Sequence, residues 1–255
     1  MLWYKSWLET RWRFAIGLVL LMLSVCSTVL TYPQVIKLLP LASTVDPSGE
    51  IGRRVAEAVV LARSYRGYVW SQLYRQNLLQ MWTLFALLLG TGGLLSQASG
   101  GGALFTLSLP ATRNRLIGVR AATGLAELLV LAFVPSLLLP VLSPAIGQAY
   151  GIGDALVYSA CLFIAGTVFF SLTFLLSTVF GDVWRPLLVV VCVATVLAFA
   201  GLAFPDLSRY GIFRLMSGEA YFRGSGLPWL GLLASAVLSM AMLSLASRNI
   251  ARQDF

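Results

Sequence analysis

Few side chains in the sequence could carry chemistry, and the clearest of them is one carboxylate inside an apolar run. Glu127 lies in the segment 121–142, about seven residues beyond Arg120, which corresponds to roughly 10 Å along a helix. An ionisable group in a long apolar segment is costly, so this position is a candidate functional residue. We expect Glu127 either to face a polar translocation path or to make a structural contact inside a bundle. The contact would be a hydrogen bond from Gln80, Asn77 or a hydroxyl on another helix.

The composition removes several classes of enzyme. The chain contains no His, which excludes Ser-His-Asp and Cys-His catalysis and His-dependent zinc sites. The carboxylates of Asp154, Asp182, Asp206 and Glu219 stand near the ends of apolar segments on differing predicted sides, so they form no obvious catalytic dyad. The glycines at 100–102 are not followed by the Lys of a phosphate-binding loop. We therefore expect no catalytic residue, no metal and no cofactor in this chain.

Length and composition indicate an integral membrane protein. Of the 255 residues, 58% are hydrophobic and only 11% are charged, and the mean hydropathy is +0.85. These values fit neither one large soluble domain nor two small ones. A membrane-spanning helix needs about 20 mostly apolar residues. We therefore predict an all-α integral membrane protein with six transmembrane helices, which form one transmembrane domain over residues 1–255. The predicted spans are residues 14–33, 78–95, 121–142, 155–179, 187–204 and 227–246.

The basic excess of the chain bears on topology. A net charge of +8 in a membrane protein favours anionic lipid headgroups over nucleic acid as the partner. The 18 basic residues divide equally between the two sides of a six-span chain, but those on the side of the termini lie in shorter segments. We expect both termini to be cytoplasmic, in the inner or plasma membrane of a bacterium.

The first thirteen residues predict an amphipathic helix at the level of the lipid headgroups. Lys5, Glu9 and Arg13 follow one another at four-residue steps, so they share a helical face, and Glu9 and Arg13 have the favourable acid-first order. Trp3 and Trp7 share another face. We expect an interfacial helix over residues 1–13, distinct from the first span.

The long connection at 36–77 predicts a second amphipathic helix, outside the membrane. Asp46 to Glu50 resembles a helix start with a capping side chain and an early proline. An apolar stripe at helical spacing follows, and its members are Ile51, Val55, Ala58, Ala62, Val69 and Leu73. We expect this helix to cover the bundle or the outer leaflet, with a substrate-gating lid as the alternative.

The connection between the second and third spans carries a resemblance to a known family. A short apolar helix is followed by Ser108-Leu109-Pro110-Ala111-Thr112-Arg113 and then by a basic turn that leads into the next span. This arrangement resembles the cytoplasmic coupling segment of ABC transporter type-2 permeases. The count of six spans, the aromatic and basic N-terminal segment and the basic segment from Arg248 to Arg252 resemble the same family.

The resemblance implies the membrane-spanning permease subunit of an ATP-driven exporter. Two copies, or two related subunits, would form the pathway, and each would dock on a separate ATPase subunit that binds ATP and magnesium. The coupling segment would be residues 103–115, with an apolar face in a cleft of the ATPase and arginines that pair with acids or lipid phosphate. Its implied residues are Leu104, Phe105, Leu107, Leu109, Pro110, Arg113 and Arg115. Unlike many members of the family, the chain has no acidic residue in 97–104.

Three alternatives stay open at this point. The segment 103–115 could be an ordinary cytoplasmic loop that obeys the charge bias. The protein could be an ATP-independent channel or a secondary carrier, although the chain has few intramembrane ionisable groups and no clear inverted repeat. The third alternative is a membrane-embedded enzyme that acts on lipids, against which the missing His and the scattered acids argue.

Overall fold

The fold is built from long helices. The computed structural model describes residues 2–42, 49–91, 113–180, 182–203 and 211–251, and within these ranges it contains no strand. A π-helical segment (Trp70–Asn77) joins the third and fourth helices, and a short 3-10 helix (Ser143–Ile146) follows the fifth. The α-helices are α1 (Leu2–Ala42), α2 (Glu50–Ala62), α3 (Tyr65–Val69), α4 (Leu78–Gly90), α5 (Arg113–Leu142), α6 (Ile152–Ser177), α7 (Trp184–Ala203), α8 (Ile212–Met216), α9 (Glu219–Phe222) and α10 (Trp229–Ala251).

Five helices in the described residues are long and apolar enough to cross a membrane, so the chain is an integral membrane protein. They coincide with five of the six predicted spans. The spanning lengths are Leu2–Pro40, Arg115–Ile146, Ile152–Ser177, Trp184–Gly201 and Trp229–Ile250.

The predicted second span, 78–95, is not confirmed as a membrane-spanning helix. The helix α4 begins at Leu78 as expected, but it has only 13 residues and ends at Gly90, after which Thr91 is extended. Residues 92–95 lie outside the described part of the chain. Helical conformation nevertheless runs unbroken from Tyr65 to Gly90, because the π-helical segment continues α3 directly into α4. Much of the predicted external connection therefore belongs to the same helical stretch as α4.

Contacts between helices define two sides of the bundle. On the first, which we call the chain-end side, the start of α1 meets the end of α4 through Arg13 and Thr91, and the end of α10 meets the end of α6 through Asn249 and Thr178. On the second, the far side, Tyr65 of α3 bonds to Ser143 just after α5. The helices α1, α4, α5, α6, α7 and α10 thus alternate in direction, and the described chain begins and ends on the same side.

The core lies around α6, whose small residues let large side chains approach closely. A Cβ at Gly166 would lie 2.1 Å from Cζ3 of Trp82, so the indole fills the space that a larger residue would need. Trp82 is fully buried and donates from Nε1 to the carbonyl of Leu128 on α5 at 3.1 Å. The α4, α5 and α6 helices therefore pack through one indole.

Most apolar side chains on α7 and α10 point away from the bundle. Val196, Phe199, Leu230 and Val237 are between 61% and 86% exposed within the single chain. Such faces are typical of helices whose solvent is lipid, in which apolar exposure carries no penalty.

The predicted N-terminal helix is not a separate element. The helix α1 runs without interruption from Leu2 to Ala42, with Pro33 and Pro40 inside it. Trp3 and Trp7 are exposed as the spacing implied. Glu9 and Arg13, which share a helical face by their spacing, each bond to a different helix: Glu9 to Arg120 of α5 and Arg13 to the carbonyl of Leu88 in α4.

The predicted amphipathic helix is present as α2, which begins at Glu50. Of the predicted apolar stripe, Ala62, Val69 and Leu73 are buried as expected, whereas Ala58 is exposed and its neighbour Val59 is buried instead. Asp46, the predicted cap, lies outside the described residues.

In α5, helix is present from Arg113 instead of beginning at 121, so Arg113 and Arg115 belong to a helix rather than to a turn.

Candidate functional site

Polar side chains from three helices meet at the chain-end side of the bundle. This group, the chain-end cluster, comprises two carboxylates, two guanidinium groups and two hydroxyls. Its members are Glu9, Thr10, Arg13, Thr91, Arg120 and Glu127. Thr91 directly follows α4, and Arg120 lies on α5 seven residues after Arg113, where the described part of α5 begins. The cluster therefore lies beside the segment that the sequence singles out.

Glu127 is the deepest charged group of the chain-end cluster. Only 5% of its surface is exposed. Its Oε1 accepts a hydrogen bond of 2.5 Å from the Thr10 hydroxyl of α1, in agreement with the expected bond from a hydroxyl on another helix. Its Oε2 has no hydrogen-bond partner within the described part of the chain. Gln80 and Asn77, the other suggested donors, are exposed instead. One oxygen of a buried carboxylate is thus left to bind a further donor.

Arginines tie the start of α1 to both neighbouring helices. Arg120 donates from Nη1 to Glu9 Oε2 at 3.2 Å. Arg13 donates from Nη1 to the carbonyl of Leu88 at 2.8 Å and to the Thr91 hydroxyl at 3.1 Å. A guanidinium at the C-terminal end of α4 satisfies a carbonyl of the last turn and favours the negative end of the helix dipole. The start of α1 therefore contacts the end of α4 and the first part of α5.

The predicted coupling residues fall mainly outside the described residues. Structure is not described for Leu104, Phe105, Leu107, Leu109 and Pro110. Of the two arginines, Arg113 is the first residue of the described part of α5, and Arg115 is exposed two residues further on. The exposure of Arg115 leaves it accessible to a partner or to lipid.

A second polar group lies on the far side, and the sequence did not predict it. This group, the arginine–aromatic cluster, draws on α3, the π-helical segment, α6, α8 and α9. Its members are Arg66, Trp70, Arg75, Asp154, Arg214, Glu219, Tyr221, Phe222 and Arg223.

Asp154 organises one half of the arginine–aromatic cluster. Arg66 binds it through two nitrogens, with Nε at 3.0 Å from Oδ2 and Nη2 at 3.1 Å from Oδ1. The Tyr221 hydroxyl donates to Oδ1 at 2.8 Å. A bidentate pair of this kind is the strong form of an arginine–carboxylate interaction. The start of α6 is thereby linked to α3 and α9.

Glu219 organises the other half, and three arginines surround it. Arg214 donates to both carboxylate oxygens, at 2.5 and 2.6 Å, and Arg223 forms an ion pair with Oε1, with Nη2 at 2.5 Å. Burial alone would raise the pKa of Glu219, but the hydrogen bonds and charge of Arg214 outweigh it, aided by the charges of Arg223 and Arg75, so the pKa is lowered. The arginines therefore favour the ionised form of Glu219.

Stacked aromatic rings connect the two halves. The Trp70 ring lies parallel to that of Phe222 with centroids 4.1 Å apart, and its Nε1 donates to the carbonyl of Ser217 at 2.9 Å. The Arg75 guanidinium lies 5.6 Å from the Trp70 ring centroid, within the range of a cation–π contact. A π-helical turn between α3 and α4 positions Trp70 and Arg75, which fits the frequent occurrence of such turns at functional sites.

The arrangement limits the chemistry that the described residues can perform. They contain no group of three or more His, Cys, Asp or Glu that could hold a metal ion. The carboxylates of Asp154 and Glu219 are on one side, but each is occupied by arginine. The two clusters are built to hold charge and to connect helices. No known protein family, curated protein or solved structure matches the chain.

Proposed function

We propose that the chain is the permease subunit of an ATP-driven ABC exporter, with its chain-end side facing the cytoplasm. In this proposal two permease copies, or two related subunits, form the pathway, six spans cross the membrane in each, and separate ATPase subunits bind ATP and magnesium. The residues 103–115 couple the ATPase to the bundle. The protein itself is not an enzyme.

The observation that carries the proposal is the position of the chain-end cluster. A force applied to the connection 92–112 reaches the bundle at Thr91 and through α5. Arg13 ties Thr91 to α1, and the Glu9–Arg120 pair ties α5 to α1 seven residues after Arg113. A push on this connection would therefore move three helices together. That is what a coupling segment requires, since hydrolysis in one chain has to reorient spans in another.

A second candidate function is ion-coupled transport without ATP, and Glu127 favours it. Secondary carriers use intramembrane carboxylates to bind a proton or a cation, and one oxygen of Glu127 has no partner among the described residues. Glu127→Gln separates the two functions. In an ATP-driven exporter it leaves ATP-dependent transport largely intact, whereas in a carrier it abolishes transport driven by an ion gradient.

A double variant of the coupling segment tests the proposal. In proteoliposomes that contain the permease and its ATPase, Phe105→Ala with Arg113→Glu removes an apolar contact and reverses a charge. We expect it to separate vanadate-sensitive ATP hydrolysis from transport, or to release the ATPase, while membrane insertion is unchanged. Arg248→Glu, a charge reversal at an exposed residue on the same side, is the matched control and leaves coupling intact. Undiminished transport in the double variant would refute the assigned segment.

A further inference from the structure

The arginine–aromatic cluster holds more positive charge than its carboxylates neutralise. Arg75 is exposed, and within the described residues no carboxylate lies within ion-pair distance of it and no acceptor takes a hydrogen bond from it. The side chain of Arg223 is 67% exposed and uses one nitrogen on Glu219, a carboxylate that also binds Arg214. A guanidinium carries five N–H donors, so both side chains keep donors for a further ligand.

Both arginines act on the same carboxylate: Arg223 forms an ion pair with Glu219, and the charge of Arg75 helps to lower the pKa of Glu219. Phe222 immediately precedes Arg223 in the chain and lies parallel to Trp70, while Trp70 carries Arg75 over its ring. The indole is also held in place by the hydrogen bond from its Nε1 to the carbonyl oxygen of Ser217. Arg75 thus lies over one ring of a rigid aromatic platform, and Arg223 directly follows the residue that supplies the other ring. Because the platform is pre-organised, a ligand pays little to order it.

The surroundings of the platform place it at the depth of lipid headgroups. The start of α10 lies on the same side, and exposed tryptophans concentrate at membrane–water interfaces. Trp229 and Leu230, at the start of α10, are 65% and 86% exposed. The next residue, Gly231, packs against Leu215 of α8. An apolar flank therefore adjoins α8, one of the helices of the arginine–aromatic cluster, as a ligand with acyl chains would need.

We propose that Arg75 and Arg223 bind the phosphate of an anionic lipid headgroup in the leaflet on the far side. Guanidinium groups match phosphate oxygens through paired, charge-assisted hydrogen bonds. The aromatic platform sets the depth of the phosphate, and the exposed start of α10 contacts the acyl chains. A free phosphate would satisfy the arginines but would leave that apolar flank without a function. The proposal is independent of exporter function, since it concerns a lipid site on the far side only.

Native mass spectrometry tests the site on the full-length protein. The protein is released from micelles that contain equal amounts of phosphatidylglycerol and phosphatidylcholine, and the retained lipid is identified. We expect wild type to retain phosphatidylglycerol preferentially, and Arg75→Gln with Arg223→Gln to reduce that preference. The expected reduction is about five-fold per arginine, equivalent to roughly 1 kcal/mol for each basic residue beside an anionic membrane surface. Both residues are exposed, so the bundle is expected to fold without them.

A matched control separates this site from the general basic charge of the chain. Arg185→Gln with Arg248→Gln removes the same charge from exposed residues on the chain-end side and should keep the lipid preference. Equal retention of phosphatidylglycerol in the Arg75 and Arg223 variant would overturn the proposal. Displacement of the lipid by millimolar inorganic phosphate would also overturn it, because the occupant would then be a free anion. A wild-type protein that retains phosphatidylglycerol and phosphatidylcholine equally would also overturn the proposal.

Discussion

At the scale of single residues, the sequence identified one buried charge but not its partner. Glu127 was recognisable because a carboxylate inside an apolar run is rare, and it is buried as expected. Thr10 carried no such signal, since hydroxyl residues occur throughout apolar helices and usually bond to their own backbone. The same holds for Arg75 and Arg223, which act on the same carboxylate, Glu219. Pairs between distant segments are set by packing that no local pattern records.

The bond between Thr10 and Glu127 gives a prediction about stability. Thr10→Val should lower the free energy of unfolding by about 1–3 kcal/mol, because it deprives a buried carboxylate oxygen of its donor. The measurement is an unfolding titration in mixed micelles. Thr195→Val is the matched control, since Thr195 is exposed and bonds only to a carbonyl of its own helix among the described residues. Equal stability of the two variants would show that the bond contributes nothing.

The lowered pKa of Glu219 gives a prediction about pH. Because this pKa is lower in the folded protein than the ordinary value of 4.5, ionisation favours the folded state. The contribution is complete above the ordinary value and is lost as the pH falls through the lowered pKa. Glu219→Gln should therefore reduce the loss of stability on acidification, measured by thermal unfolding in detergent between about pH 3 and 6. An unaltered profile in Glu219→Gln would contradict this account.

At the scale of elements, the helices were easier to predict than their ends. Apolar length alone located five spans, and α5 ends at Leu142 as predicted. The start of α5 and the continuity of α1 were missed because polar residues at a helix end do not stop a helix that has hydrogen-bonding partners on its neighbours. Glu9, Thr10 and Arg13 have such partners on α4 and α5. The π-helical segment Trp70–Asn77 had no sequence signal. Its first residue, Trp70, donates a hydrogen bond to the carbonyl of the distant residue Ser217, and no local pattern indicates such a contact.

The close approach of α4 and α6 gives a prediction at this scale. Gly166→Ala should lower the free energy of unfolding by about 1–3 kcal/mol, because the added methyl group would meet the buried indole of Trp82. Gly201→Ala, on α7, meets open space and should be neutral or stabilising by up to about 1 kcal/mol. Unfolding titrations of the two variants in the same detergent make the comparison. A neutral Gly166→Ala would mean that the two helices are not packed this closely.

At the scale of the whole molecule, the two sides of the bundle have different characters. The chain-end side ties three helices together around a balanced set of charges, and the far side carries arginines on an aromatic platform. The alternating direction of the helices follows from the hydrophobic pattern, whereas the composition of each side emerged only from the structure. The sequence had placed the four far-side arginines outside without suggesting that they meet.

The most direct test of exporter function is the composition of the native assembly. The protein is purified from its own membranes in mild detergent, and the mass and subunits of the complex are determined together with its hydrolysis of ATP. The account predicts two permease subunits with bound ATPase subunits, and hydrolysis that vanadate inhibits. A protein that purifies without any ATPase subunit and without vanadate-sensitive hydrolysis would contradict it.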